Sequence, residues 1–315
     1  MVQDKTPNYS VTIITPVSYG SRLTNGLIRL RELILNHKAS ANNSMVINGE
    51  CEEGSLSPTA DLAGELKKTI TDLMHSVISA DGSTVDYAAL RTSEAYAGYW
   101  QARLAALRDF NPTKLSSLKA ARAFWINLYN TLILDAVIYF GIEESNSEAV
   151  IGGRAFFRKA AYLVGGQRLS LEDIEHGILR GNQGNPYVPW VHFSNGDRRL
   201  GWALPLDPRI HFALNCGGRS CPPIQAYETE KLEQQLDLAT KGFLDSTVKV
   251  DLENKEVVLS KLFSWYSTDF GGREGIKRFL SDYLPDEGQR QALLSMGDDF
   301  IVRYDNYDWR LNARL

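Results

Sequence analysis

The residues best suited to chemistry lie in one stretch, positions 207–223, which reads DPRIHFALNCGGRSCPP. It contains His211, two of the three cysteines of the chain (Cys216 and Cys221) and the glycine pair Gly217–Gly218. A histidine can act as a general base near neutral pH, and a cysteine thiolate is a nucleophile. Consecutive glycines allow exposed backbone amides to hold an anion. The stretch therefore predicts a site with His211 as base, Cys216 as nucleophile and the glycine amides as anion holders.

The pattern around His211 predicts a β-strand that leads into this loop. Residues 209–214 alternate, with apolar side chains on one side and His211 on the side of smaller neighbours. Ser220 and Cys221 close the loop. Together with Arg209 they are predicted to contribute to ligand binding.

Other roles for the cysteines stay open. A structural zinc site needs four ligands, and Cys51 is far from the other two cysteines in sequence, so no metal and no cofactor are predicted. Cys216 and Cys221 lack the spacing of a Cys-x-x-Cys redox helix, but the loop could still bring them together as a redox pair. Buried, inert thiols are the remaining alternative.

A helix that is apolar on almost all sides is predicted over Lys119–Phe140, and such a helix is normally buried. Its polar exceptions follow i, i+3, i+4 and i+8 spacing and share one stripe: Asn127, Asn130, Thr131 and Asp135. A buried amide needs hydrogen-bond partners. The two asparagines are expected either to hold the backbone of a neighbouring loop or to line an internal polar pocket.

A second helix is predicted within residues 169–181, LSLEDIEHGILRG, bounded by a capping-box spacing and a final glycine. At 100° per residue, Glu175 falls among the apolar positions and is directed inward. A buried carboxylate is either paired with a cation or available for acid–base chemistry, so Glu175 is a candidate catalytic residue. His176 and Arg180 are placed on the opposite, solvated face.

The remaining pattern indicates an α+β fold that is mainly helical, with a small sheet in its second half. Residues 1–60 are weakly patterned and are interpreted as an N-terminal segment and linker. Residues 61–315 are predicted to form a single domain. Strands are predicted at 248–250 and 257–259, joined by a turn.

The composition and charge of the chain argue against some classes of function. The net charge is −4 and the pI is about 5.8, which argues against a basic nucleic-acid surface. The N-terminus lacks the pattern of a secretory signal, and the most apolar stretch, 124–142, contains polar side chains. The sequence is therefore expected to be cytoplasmic, with no nucleic-acid or membrane partner.

Three motifs in order resemble the DUF547 family: Ala123–Leu134, Leu169–Arg180 and Asp207–Tyr227, within core motifs at 114–245. The ending Tyr307–Asn312 is similar to that of bacterial-type members. The family has no settled reaction. Its related domains occur beside leucine zipper, DEP or glutaredoxin domains, which implies adaptor or redox settings.

A looser resemblance is to papain- and transglutaminase-like layouts, where a nucleophile begins a buried helix and a histidine stands on a later strand. Asn127 occupies the nucleophile position of such a layout here.

Two classes of function remain open at this stage. The first is a hydrolase or acyl-transferase acting on a small or peptide-like substrate. Its pocket would be lined by Asn127, Asn130, Glu175, Arg209, His211 and the loop from Cys216 to Cys221. The second is a non-catalytic module that binds a protein partner, in which the same polar groups form a structural network. A thiol redox protein is a further alternative.

Overall fold

The computed structural model describes residues 46–49, 61–94, 96, 101–142, 154–186, 190–298 and 300–314. Nearly all of the predicted N-terminal segment, including Cys51, lies outside these residues. About half of the described chain is helical, with two small sheets, so the predicted α+β class is confirmed.

The elements follow the chain in this order. The α-helices cover Leu62–Ser76, Tyr87–Thr92, Gln101–Arg108, Leu118–Tyr139, Arg154–Lys159, Leu232–Thr247, Lys261–Trp265, Gly272–Tyr283 and Glu287–Ser295. Turns of 3-10 helix cover Pro112–Lys114, Arg198–Trp202 and Pro208–Phe212, and Asp173–Leu179 is π-helical. The strands are β1 (Ala161–Val164), β2 (Gln167–Ser170), β3 (Lys249–Asp251), β4 (Glu256–Leu259) and β5 (Ile301–Tyr304).

The longest helix, Leu118–Tyr139, is the central helix of the fold. Ser117 caps it by accepting a hydrogen bond from the amide of Ala120 at 3.1 Å. Every residue from Ala120 to Val137 is buried, as expected for a helix that is apolar on all sides. The predicted helix is therefore confirmed to within one residue at each end.

Strands β1 and β2 form an antiparallel hairpin that the sequence analysis missed. Gly165 and Gly166 connect them, and both have positive φ (54° and 70°), which a tight two-residue hairpin turn requires. The Gly-Gly pair that follows the apolar run Ala161–Val164 was the available signal. The hairpin matters because β2 leads directly into the π-helical segment.

The predicted pair of strands in the second half is confirmed. β3 and β4 are antiparallel, with Lys249 opposite Val258, and β5 is added parallel to β4. This sheet packs with the C-terminal helices around a second apolar core rich in phenylalanine.

The strand predicted over residues 209–214 is wrong. Pro208–Phe212 forms a turn of 3-10 helix instead. Asp207 caps this turn by accepting from the amide of Arg209 at 3.1 Å, and the proline occupies an early helical position. An Asp-Pro start favours a helical turn, and here it outweighs the alternation of apolar residues. Because His211 lies on this turn, the structure does not show a papain-like layout.

The predicted capping box before the π-helical segment is present. Asp173 accepts from the amide of Ser170 at 2.8 Å, and the Ser170 hydroxyl accepts from the amide of Asp173 at 3.2 Å. The solvated face predicted for His176 and Arg180 is wrong, since their exposed fractions are 4% and 1%. The wider π-helical turn, seen in the hydrogen bond from the Arg180 amide to the Glu175 carbonyl, changes which side chains point inward.

Two apolar cores meet at the 3-10 turn that carries His211. Ile210 belongs to the core around the central helix, whereas Phe212 belongs to the C-terminal core. His211 stands between them and is 3% exposed. The turn therefore positions His211 where elements from both cores can contact it.

Candidate functional site

A cavity of about 360 Å³ opens beside this junction. Its wall combines carboxylates, histidines, aromatic rings and one sulfur: Glu172, Glu175, His176, His211, Cys216, Tyr129, Tyr266, Tyr307, Trp265 and Trp309. Pockets for small molecules typically begin at about this size and combine apolar walls with a few polar groups. Three of the predicted site residues, Glu175, His211 and Cys216, are thus brought together.

His211 is held by a buried carboxylate. Its Nε2 lies 2.8 Å from Oδ2 of Asp269, whose side chain has no exposed surface. Arg180 binds the same carboxylate through two nitrogens, at 2.6 and 2.8 Å. Burial raises the pKa of Asp269, but the hydrogen bonds from Arg180 and His211 outweigh it and lower the pKa to about 2. Asp269 is therefore ionised at neutral pH.

The ionised Asp269 fixes the tautomer of His211. A carboxylate only accepts hydrogen bonds, so Nε2 of His211 carries the proton and donates it. Nδ1 of His211 makes no hydrogen bond with the described residues. This leaves Nδ1 with a free lone pair on a residue that lines the cavity.

A charged neighbour also fixes the tautomer of His176, in this case a hydrogen-bond donor. Arg180 lies 3.0 Å from Nδ1 of His176, and a guanidinium only donates. Nδ1 therefore accepts, and the ring proton of His176 resides on Nε2. Arg180 thus orders two groups at the cavity, His176 directly and His211 through Asp269.

Glu175 is held between two tyrosine hydroxyls. Its oxygens accept from Tyr266 at 2.5 Å and from Tyr129 at 3.2 Å. Burial, followed by the charge of Glu175, raises the pKa of both tyrosines well above its ordinary value, so both hydroxyls remain donors at neutral pH. The ring of Tyr266 also stacks on His211 with 4.0 Å between centroids. Glu175 and His211 are thereby linked through one tyrosine.

The cysteines predicted as a thiol site are joined to each other. Cys216 and Cys221 form a disulfide with 5.9 Å between their Cα atoms. Cys216 has no free thiol in this form, so its predicted role as nucleophile requires reduction of the bond. The role itself stays a prediction.

The amides of the glycine pair donate to groups of the same loop. The amide of Gly217 donates to Oδ1 of Asn215 at 2.8 Å, and the amide of Gly218 points to Sγ of Cys221 at 3.4 Å. Ser220 accepts from the amide of Asp308 at 2.9 Å and so holds the C-terminal segment. The amide of Gly217 is already used within the protein, and the prediction that the glycine amides hold an anion stays a prediction.

The two asparagines of the central helix hold backbone rather than the cavity beside His211. Asn127 exchanges two hydrogen bonds with the backbone of Tyr227, at 2.8 and 2.9 Å. Asn130 donates to the carbonyl of Ala213 and accepts from the amide of Asn215, at 3.0 and 2.9 Å. Both asparagines therefore hold loop backbone, and Asn127 also lines a second cavity, of about 680 Å³.

Arg209 also lies outside the cavity wall. It binds Asp207, Glu233 and Asp237 at 2.6–2.7 Å and so joins the 3-10 turn to the helix Leu232–Thr247. Hydrogen bonds to Asp207 raise the pKa of Arg209 above its ordinary value. Arg209 is thus part of an ion-pair network, and its predicted binding role stays a prediction.

Sequence reasoning missed Asp269, Tyr266 and Tyr307. All three come from the last 50 residues, and Tyr307 begins the ending that was noted for its resemblance but not as part of a site. A buried arginine requires a carboxylate partner, but the sequence placed Arg180 on a solvated face and so gave no reason to expect one. Nor does any local pattern indicate which carboxylate provides it.

Two kinds of feature are absent from the described part of the chain. It contains no group of three or more His, Cys, Asp or Glu side chains placed to hold a metal ion. It also contains no helix long and apolar enough to cross a bilayer.

Most residues of this site lie in a part of the chain that matches a known family. Residues 112–244 match a family described as a protein of unknown function, DUF547. Residues 112–244 are a DUF547 domain. No curated protein and no solved structure matches the chain. The match includes all three motifs of the resemblance and supports no assignment to a bacterial type.

The DUF547 domain includes the residues of the site from Tyr129 to the disulfide. Three further residues follow it in sequence: Tyr266, Asp269 and Tyr307. Because Asp269 holds both Arg180 and His211, the site depends on residues beyond the matched segment.

The low pKa of Asp269 predicts a loss of stability in acid. Its folded value of about 2 lies below the ordinary 3.8. Ionised Asp269 therefore stabilises the fold above about pH 4, and this contribution, about 2 kcal/mol, is lost as the pH falls toward 2. Urea unfolding of the wild type and Asp269→Asn should show their difference in stability shrinking by about that amount between about pH 5 and pH 2. A difference that stays constant with pH would contradict the assignment.

Proposed function

We propose that this DUF547-containing protein is a hydrolase or acyl-transferase in which His211 is the general base. The observation that carries the proposal is the pairing of His211 with Asp269 at 2.8 Å beside the cavity. An ionised carboxylate fixes the tautomer of a catalytic histidine and stabilises its protonated form. The unoccupied ring nitrogen, Nδ1, is then the atom that accepts a proton.

The nucleophile in this proposal is water or a hydroxyl of the acceptor. His211 takes its proton through Nδ1, and the oxygen attacks the acyl carbon of the substrate. The protonated histidine then returns the proton to the leaving group. This assignment needs no free thiol at Cys216, consistent with its bond to Cys221.

Glu175 and its tyrosines would orient the substrate. The carboxylate accepts hydrogen bonds from Tyr129 and Tyr266 and lies on the cavity wall. We assign to Glu175 the binding of an N–H or O–H group on a small or peptide-like substrate. The aromatic rings of the wall would bury the apolar part of such a substrate.

The proposal predicts that His211→Gln lowers kcat/KM for acyl hydrolysis about 100-fold, because an uncharged amide cannot take the proton. The assay uses a panel of p-nitrophenyl acyl esters and short peptide amides. The matched control is His75→Gln, on the exposed face of the helix Leu62–Ser76, which should keep the wild-type rate.

Equal rates in the wild type and His211→Gln would overturn the catalytic proposal and favour the interaction module. Asp269→Asn gives a second test. It should lower the rate because the amide no longer fixes the tautomer of His211. Thermal unfolding of each variant establishes that the comparison is made on folded protein.

A further inference from the structure

The disulfide occupies a position suited to reaction. Cys216 lines the cavity, whereas Cys221 is not part of the cavity wall. Both residues are only partly buried. A molecule in the cavity can therefore approach the bond from the Cys216 side, with the Cys221 sulfur on the far side.

Three hydrogen-bond donors point to the sulfur of Cys221. The amide of Cys216 lies 3.1 Å from it, the amide of Gly218 lies 3.4 Å away, and the hydroxyl of Tyr307 lies 3.2 Å away. Donors at this position stabilise a thiolate. Among the described residues, the sulfur of Cys216 has a single donor, the shared Tyr307 hydroxyl, at 3.3 Å.

The sulfur of Cys221 has more hydrogen-bond donors than that of Cys216, and this difference determines which sulfur leaves during thiol–disulfide exchange. In thiol–disulfide exchange, the sulfur whose thiolate is better stabilised leaves faster. The Tyr307 hydroxyl has a single proton and can donate it to either sulfur. When the sulfur of Cys221 becomes a thiolate, the Tyr307 hydroxyl and the amides of Cys216 and Gly218 can all donate to it.

We propose that Cys216 and Cys221 form a thiol–disulfide exchange site that oxidises a small thiol entering the cavity. The thiolate of the substrate attacks Sγ of Cys216, the disulfide breaks, and the electron pair leaves on Sγ of Cys221. A second substrate thiolate then attacks the substrate sulfur of the mixed disulfide. Substrate disulfide is released, and Cys216 leaves as a thiolate.

Two electrons thus pass from two thiols to the protein pair, and the thiolates take up protons from water. A low-molecular-weight disulfide re-oxidises the dithiol by the reverse exchange. This activity is separate from acyl transfer and uses neither Glu175 nor His211.

The first test compares single-thiol variants, each with Cys51→Ser so that only one thiol remains. Cys216→Ala leaves Cys221, and its iodoacetamide labelling should titrate below the roughly 8.5 pKa of a free cysteine. Cys221→Ala leaves Cys216, which should titrate close to that value and form a mixed disulfide with oxidised glutathione, detected by mass. Labelling of Cys221 no faster than that of Cys216 near pH 7 would overturn the proposal.

The second test starts from the oxidised protein, in which both cysteines are present and joined. Reduced glutathione is added, samples are quenched with N-ethylmaleimide, and the reduced fraction is measured by mass. Tyr307→Phe retains the ring but removes the hydroxyl, so reduction should slow about tenfold, the effect of losing one hydrogen bond to the leaving sulfur. Tyr304→Phe, whose hydroxyl makes no contact with either sulfur, is the matched control. A wild-type disulfide that glutathione does not reduce, or an equal rate in Tyr307→Phe, would overturn the proposal.

Discussion

Asp269→Ala should lower the free energy of unfolding by about 3–5 kcal/mol, the largest effect expected of any single change at the site. The substitution leaves the guanidinium of Arg180 buried, with 2% of its side chain exposed, and without its counter-ion. A buried charge that loses its partner cannot recover the hydration that it gave up on folding. Urea denaturation followed by tryptophan fluorescence measures the change.

The control for this substitution is Asp245→Ala, which removes an exposed carboxylate from the helix Leu232–Thr247. It should change stability by less than about 0.5 kcal/mol. Replacing Arg180 and Asp269 together with apolar residues should cost less than Asp269→Ala alone, because the guanidinium is then not left buried without its counter-ion. A cost below about 1 kcal/mol for Asp269→Ala would show that Arg180 finds another partner.

Asn130→Ala should lower the free energy of unfolding by about 2–4 kcal/mol. The amide is fully buried and holds two backbone groups, the carbonyl of Ala213 and the amide of Asn215. Each buried group left without a partner costs about 1–3 kcal/mol. Because this backbone joins His211 to Cys216, the substitution should also loosen the candidate site.

Chemical denaturation measures the stability of Asn130→Ala, and amide hydrogen exchange at residues 213–217 measures the local effect. Asn195→Ala, at an exposed position, is the matched control. If Asn130→Ala unfolds at the same denaturant concentration as the wild type, the side chain does not hold the loop.

The central helix could be predicted because its signal is local. A long run of apolar residues with a serine before it specifies both burial and the starting point. The two strands around the turn near residues 253–254 were predictable for a similar reason. Their residue types and the turn lie within about a dozen positions.

The environment of His211 could not be predicted from its neighbours. Alternation over residues 209–214 resembled a strand, but the Asp-Pro start forms a capped 3-10 turn. The burial of Arg180 depends on Asp269, which lies 89 residues later. Long-range pairing of this kind leaves no periodic trace in the sequence, so the charge network around His211 could not be predicted, and the functional role of the site stays a prediction.

The junction between the two apolar cores links the unfolding of one core to that of the other. Arg180 and Asp269 connect the DUF547 domain to the C-terminal core, and the cavity is walled by side chains from both. A molecule bound there would contact side chains from both, and it would lose its contacts with Trp265, Tyr266 and Tyr307 whenever the C-terminal part separates. Binding would therefore depopulate partly open states and merge the melting of the two cores into one sharper transition.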